Sequence, residues 1–119
     1  MKLNHLNLQV TDVQAARDFF ETFFEFRCSY SRAELVILED EAGFALAVSN
    51  LSGISNPQYP KDFHVGFRLD TVEEVKRLYD RLKNADIPIN FDLQTAGPSL
   101  VFRCYGPDSI LVEVSTLAS

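Results

Sequence analysis

The sequence predicts an α+β fold of two βαβββ modules, with mixed, curled sheets forming a cup-shaped cavity. Three observations lead there: a strand–helix motif that occurs twice, 59 residues apart; a change from period-2 to helical periodicity within each copy; and three strand-like runs after each helix. At 119 residues, 46% hydrophobic and 24% charged, the chain has the size and composition of one globular domain. We read 1–119 as that domain, with module 1 at about 1–50, a linker at 51–61 and module 2 at about 62–119.

The first copy opens with His5-Leu6-Asn7-Leu8-Gln9-Val10 and the second with His64-Val65-Gly66-Phe67-Arg68-Leu69. Both alternate, as half-buried strands do. Leu6, Leu8 and Val10 match Val65, Phe67 and Leu69 on the core side. His5, Asn7 and Gln9 match His64, Gly66 and Arg68 on the reverse. Thr11 with Gln14, and Asp70 with Glu73, supply a capping oxygen and an acceptor three residues on. The stripe Val13, Ala16, Phe20, Phe23 then recurs as Val72, Val75, Tyr79, Leu82, an amphipathic helix in each copy. The first helix is expected to reach about Phe26 and the second about Ala85, ahead of Ile87-Pro88.

Strands are expected at 27–30, 33–39 and 44–49 in module 1, with a turn at Glu41-Ala42-Gly43. In module 2 they fall at 89–93, 99–105 and 109–115, with a turn at Gly106-Pro107-Asp108. Leu51 to Lys61, with Gly53, Pro57 and Pro60, reads as the linker. Five of the ten phenylalanines lie between residues 19 and 26, more than one helix face and one sheet can bury, which points to a second packing partner.

The net charge of −6 and pI near 4.8 argue against nucleic acid and anionic lipid, both of which want a positive surface. No apolar run approaches the roughly 18 residues of a membrane helix, and the first residues lack the apolar stretch of a signal peptide. Cys28 and Cys104 lack CxxC spacing and lie in apolar segments. They read as buried, reduced thiols of a cytoplasmic protein.

A polar row on the reverse face of each first strand suits a wet, ligand-sized cavity. The chain has two histidines, His5 and His64, and the repeat puts them in register. Glu113 stands in the last strand between Val112 and Val114, where a carboxylate on a covered face needs a partner or a metal. Two imidazoles and one carboxylate form a set that suits a divalent metal (Fe, Mn, Ni, Co or Zn) with positions open for substrate. The bland alternative is a pair of hydrogen-bonded cavity histidines. Arg68, on the His64 face, is a candidate anchor for a substrate anion, with Asn7, Gln9 and Arg103 as further substrate-binding candidates. Tyr30, Tyr59 and Tyr105 are possible proton donors or stacking surfaces.

The chain resembles the vicinal oxygen chelate superfamily, which includes glyoxalase, bleomycin-resistance proteins, extradiol dioxygenases and fosfomycin-resistance transferases. The residues that carry the resemblance are Asn4-His5-Leu6-Asn7-Leu8 with Asp12 and Phe19-Phe20, Phe63-His64-Val65-Gly66-Phe67, and Gly106-Pro107-Asp108-Ser109 leading to Val112-Glu113-Val114. The resemblance implies that His5, His64 and Glu113 are metal ligands. It also implies a homodimer in which His5 of one subunit joins His64 and Glu113 of the other.

Where glyoxalases carry a fourth ligand, the repeat puts Ala47, so a proton transfer that uses a base beside the metal is disfavoured. Both histidines are spent as ligands, which leaves none for the acid–base step of an extradiol dioxygenase. The Lys, Arg and hydroxyl cluster of fosfomycin-type transferases has no residue-by-residue match. The expectation is therefore a small metal-dependent enzyme for a substrate that chelates through oxygens. The alternative is a metal-free protein of the bleomycin-resistance type that sequesters a small molecule such as an antibiotic.

Overall fold

The structure, a computed structural model, describes residues 1–117. Two compact units emerge, Met1–Gln58 and the part from Tyr59 onward. Each has the strand–helix–three-strand order that the repeat predicts.

In module 1, β1 (His5–Gln9) leads into α1 (Val13–Phe24), followed by β2 (Arg27–Arg32), β3 (Leu35–Glu39) and β4 (Ala45–Ser49). The open sheet has the order β1-β4-β3-β2. Because α1 returns the chain across the sheet, β1 pairs parallel with β4, whereas the hairpins β2–β3–β4 are antiparallel. Asp40 shapes the β3–β4 turn, its Oδ1 accepting from the backbone N–H groups of Ala42 and Phe44, both at 2.9 Å. Leu8, Val10, Ala16, Phe20, Val36, Leu38 and Val48 form a core with almost no accessible surface.

Phe19 and Phe23 are only half-buried and stack on the helix itself. The Phe19 ring lies 5.1 to 5.7 Å from those of Phe20, Phe23 and Phe24, so the phenylalanines form one aromatic cluster.

The helix caps differ by one residue from the sequence expectation. Asp12, not Thr11, caps α1 by accepting from the Ala15 N–H at 3.0 Å. Thr11 is engaged instead with the segment after β4: its hydroxyl accepts from the Asn56 N–H and its carbonyl from the Asn50 amide. Asn50 also closes a loop on Ile54 through both ends of its amide. The first part of the expected linker is therefore tied onto module 1.

Module 2 repeats the order with β5 (His64–Arg68), α2 (Val72–Asn84), β6 (Ile89–Ala96), β7 (Ser99–Tyr105) and β8 (Leu111–Leu117). Its open sheet is ordered β5-β8-β7-β6, with β5 parallel to β8. Thr71, not Asp70, caps α2: its hydroxyl accepts from the Glu74 N–H and donates to the Glu74 carboxylate, both at 3.1 Å. The turn before β8 is a 3-10 helix at Pro107–Ser109, with Asp108 and Ser109 both at positive φ. Val75, Leu82, Phe102, Cys104, Ile110, Val112 and Val114 are its core.

The helices end at Phe24 and Asn84, near the expected limits, and α1 is closed by Glu25 in the left-handed region. The last strand of module 2 starts two residues late, at Leu111, because Ser109 belongs to the 3-10 turn. Cys28 is half-buried rather than buried, and its thiol lies 3.4 Å from the Tyr30 carbonyl; Cys104 has no accessible surface. Both are free. Among the described residues, no helix is long and apolar enough to cross a membrane.

Candidate metal centre

Strand parity decides which side chains leave the core. In β5, Val65 and Phe67 turn toward α2 while His64, Gly66 and Arg68 are exposed on the reverse face. In β8, Val112, Val114 and Thr116 are buried, which puts Glu113 on that reverse face. Register then brings Glu113 beside β5. Gly66 is directly opposite it on one side and Arg103 of β7 on the other, with Phe91 of β6 next in the row.

The side chains complete the site. The Glu113 Oε2 atom lies 4.0 Å from His64 Nε2, while Oε1 accepts a hydrogen bond from Arg103 Nε at 3.1 Å. The Arg103 guanidinium carbon lies 6.0 Å from the centre of the Phe91 ring. His64 Nδ1 is 2.8 Å from the carbonyl oxygen of Asp62, a residue held at φ 69. A carbonyl only accepts, so in the neutral ring the proton sits on Nδ1 and Nε2 offers a lone pair toward Glu113. His5 shows the same pattern on β1, with Nδ1 2.8 Å from the Asn4 side-chain oxygen.

A divalent metal fits this pair. Bonds to histidine nitrogen and carboxylate oxygen run to about 2.0–2.2 Å, so two donors on one ion stand about 3.0–3.5 Å apart at octahedral or tetrahedral angles and at most about 4.3 Å; His64 and Glu113, at 4.0 Å, lie inside that limit and about half an ångström beyond the closer spacing. A Cβ at position 66 would lie 3.9 Å from Oε2, in ordinary van der Waals contact, so Gly66 backs directly onto that oxygen. Among the described residues of the chain, no three His, Cys, Asp or Glu side chains gather closely enough to hold an ion. His64 and Glu113 belong to module 2, and His5 belongs to module 1.

The other expected site residues divide between the modules. Arg68 ends β5, exposed and opposite Ser115. On β1, Asn7 accepts from the Ser49 hydroxyl at 2.8 Å, and Gln9 is exposed at the strand end. The Tyr105 hydroxyl accepts from the Asn90 amide at 2.9 Å, and the Tyr59 ring stacks 4.9 Å from Phe63. Tyr30 is exposed on β2.

Module 1 carries an apolar version of the same row. Asn7 stands opposite Ala47, Ala47 opposite Ile37 and Ile37 opposite Tyr30, matching Gly66, Glu113, Arg103 and Phe91. The register thus places Ala47 where module 2 has its carboxylate, as the repeat predicts.

This architecture defines a two-module βαβββ protein with a His–Glu pair on its second sheet, and sequence comparison names the class. Residues 2–114 match the family model described as the glyoxalase/bleomycin resistance protein/dioxygenase superfamily, and the chain belongs to that superfamily. Among solved structures, it is similar to a possible glyoxalase from Bacillus cereus at 34% identity. That match covers 96% of this chain and 97% of the other, with a TM-score of 0.84. A fosfomycin resistance protein from Listeria monocytogenes shares the fold at 20% identity, covering 98% and 93% of the two chains with a TM-score of 0.81. A lactoylglutathione lyase from Agrobacterium tumefaciens does so at 18% identity, 97% and 92% coverage and a TM-score of 0.79. No curated protein matches the chain.

Proposed function

We propose that the protein is a small divalent-metal-dependent enzyme whose substrate binds the metal through oxygen atoms, with His5, His64 and Glu113 as the ligands. The observation that carries this reading is the His64–Glu113 pair, 4.0 Å apart, with the histidine tautomer set by the Asp62 carbonyl. When bound, the metal would act as a Lewis acid on the substrate oxygens.

The chain's own residues supply the rest. His64 and His5 present lone-pair nitrogens, because their Nδ1 protons are held by oxygen acceptors. Arg68, exposed on the face of His64, takes an anionic group of the substrate. Asn7, Gln9 and Arg103 are further polar groups for orienting it. With Ala47 in place of a second carboxylate, the chain offers no base at that position, so a reaction that polarises substrate oxygens fits better than one that shuttles a proton there. We further propose a cytoplasmic homodimer in which His5 of one subunit joins His64 and Glu113 of its partner. The two free thiols suit that reducing compartment.

One observation favours a second reading. Arg103 already balances the charge of Glu113, as a metal-free pocket of the bleomycin-resistance type would require. Elemental analysis of protein grown with Mn, Fe, Ni, Co or Zn separates the two. Our reading expects about one ion per chain, lost in His64→Ala and Glu113→Gln, with any turnover lost too. Failure to take up any of the five metals would sink it and leave sequestration of a small molecule.

A further inference from the structure

We infer that Arg103 is a positioning residue of the centre: braced on Phe91, it holds Glu113 by Oε1 and leaves Oε2 as the single oxygen facing His64. The inference rests on the metal-binding reading above and adds a residue that acts through Glu113.

Three features support it. The row Gly66–Glu113–Arg103–Phe91 is set by strand register, so the contact follows from backbone pairing. Arg103 and Glu113 are both about one-quarter exposed, at 27% and 26% of their side-chain surface, covered enough to keep a defined geometry. In module 1 the carboxylate and the guanidinium are absent together, replaced by Ala47 and Ile37, so the pair occurs only where a ligand is expected.

The physical consequence concerns how the carboxylate can bind. A terminal carboxylate torsion is soft, and a free glutamate can turn both oxygens onto one ion. A directional, charge-assisted bond from Nε occupies one oxygen and stops that rotation. The guanidinium also opposes a cation nearby, which keeps the ion exchangeable and weakly held. Gly66 backs onto Oε2 on the opposite side.

Co(II) titration of the purified full-length protein, followed by visible absorption and by a competing chelator, tests this without any assay of turnover. Arg103→Met removes the charge and the donor but keeps the length. With a positive charge gone from beside the ion and both carboxylate oxygens free, the variant is expected to bind Co(II) about tenfold more tightly, with weaker visible bands as Glu113 adds its second oxygen and the coordination number rises. Arg103→Lys, which returns charge and one donor, is expected to move both readings back toward wild type. Phe91→Leu, which loosens the brace, should shift the spectrum the same way by a smaller amount.

Circular dichroism confirms that each variant is folded. An unchanged spectrum and affinity in folded Arg103→Met would overturn the inference, as would weaker binding with unchanged bands. Wild type and Arg103→Met both taking up no Co(II) would instead overturn the metal reading, and this inference with it. Uptake by Arg103→Met alone would likewise overturn the inference, since the guanidinium would then withhold Glu113 from the ion rather than position it.

Discussion

Cys104 stands on β7 with no accessible surface, and burial pushes its thiol up to about 11. In the unfolded chain a thiol titrates near 8.5. Between those values the unfolded chain releases a proton that the folded one keeps, so stability falls as pH rises through that window and the loss is complete above about 11. Denaturation midpoints measured from pH 8 to 11 should therefore drop more steeply in wild type than in Cys104→Ala, whose slope lacks this contribution. Phe20 belongs to the same scale. It is wholly buried and meets Phe19, Phe24 and Phe26 edge-on or tilted, so Phe20→Ala should cost about 3–5 kcal/mol in an unfolding titration.

Residues also show where a sequence stops being legible. His5, His64 and Glu113 stand out because the repeat and strand parity can be read along one segment at a time. The Arg103–Glu113 bond depends on the β7–β8 register, and Gly66 opposite Glu113 on a parallel pairing between strands 47 residues apart. The Asp62 carbonyl that sets the His64 tautomer is a backbone group, invisible to residue type. The sequence offers Arg103 only as a candidate substrate-binding residue in a strand-like run, with nothing to show that it meets Glu113.

At the scale of elements, periodicity located both helices, but the caps moved by one residue. Each helix start offers two neighbouring oxygens, Thr11-Asp12 and Asp70-Thr71; an acceptor stands three residues on from Thr11, Asp70 and Thr71, whereas Asp12 has Ala15 there. Tertiary bonds decide between them, since Thr11 is held by the 50–56 loop. Thr71→Ala should consequently cost about 1 kcal/mol, through loss of the cap and the hydroxyl bond to Glu74, whereas Asp70→Ala should cost only a few tenths. A larger loss in Asp70→Ala than in Thr71→Ala, read from urea midpoints, would return the cap to Asp70. Strand β6 was read as ending at Leu93 but runs to Ala96 through two register irregularities. Asp92 sits within that stretch, its carboxylate accepting both the Leu93 N–H and the Tyr79 hydroxyl. Local side-chain capture of a backbone donor competes with regular pairing, and the hydrogen bond to α2 lowers Asp92 and raises Tyr79 from their usual values.

For the whole molecule, the decisive fact is that the two modules share one topology but differ in the matching rows of their sheets. Both modules keep a histidine at the start of the first strand, but the carboxylate, its arginine and the glycine beside them occur only in the second. On the proposed ligand set, two ligands stand on one module and the third on the other, so the proposed site is one that a second chain could complete. If each site in a dimer takes His5 from one subunit and His64 with Glu113 from its partner, two defective chains should repair each other. His5→Ala and Glu113→Ala homodimers would each lack a complete site. In their heterodimer, one site combines both substitutions and the other is intact. Random mixing after unfolding and refolding together makes half the dimers mixed, so metal uptake should recover to about a quarter of the wild-type level. A site built within one chain predicts no recovery, because every chain in the mixture carries a defect. Sedimentation on the same sample checks that dimers have formed, so that a failure of assembly is distinguished from a site that is not shared.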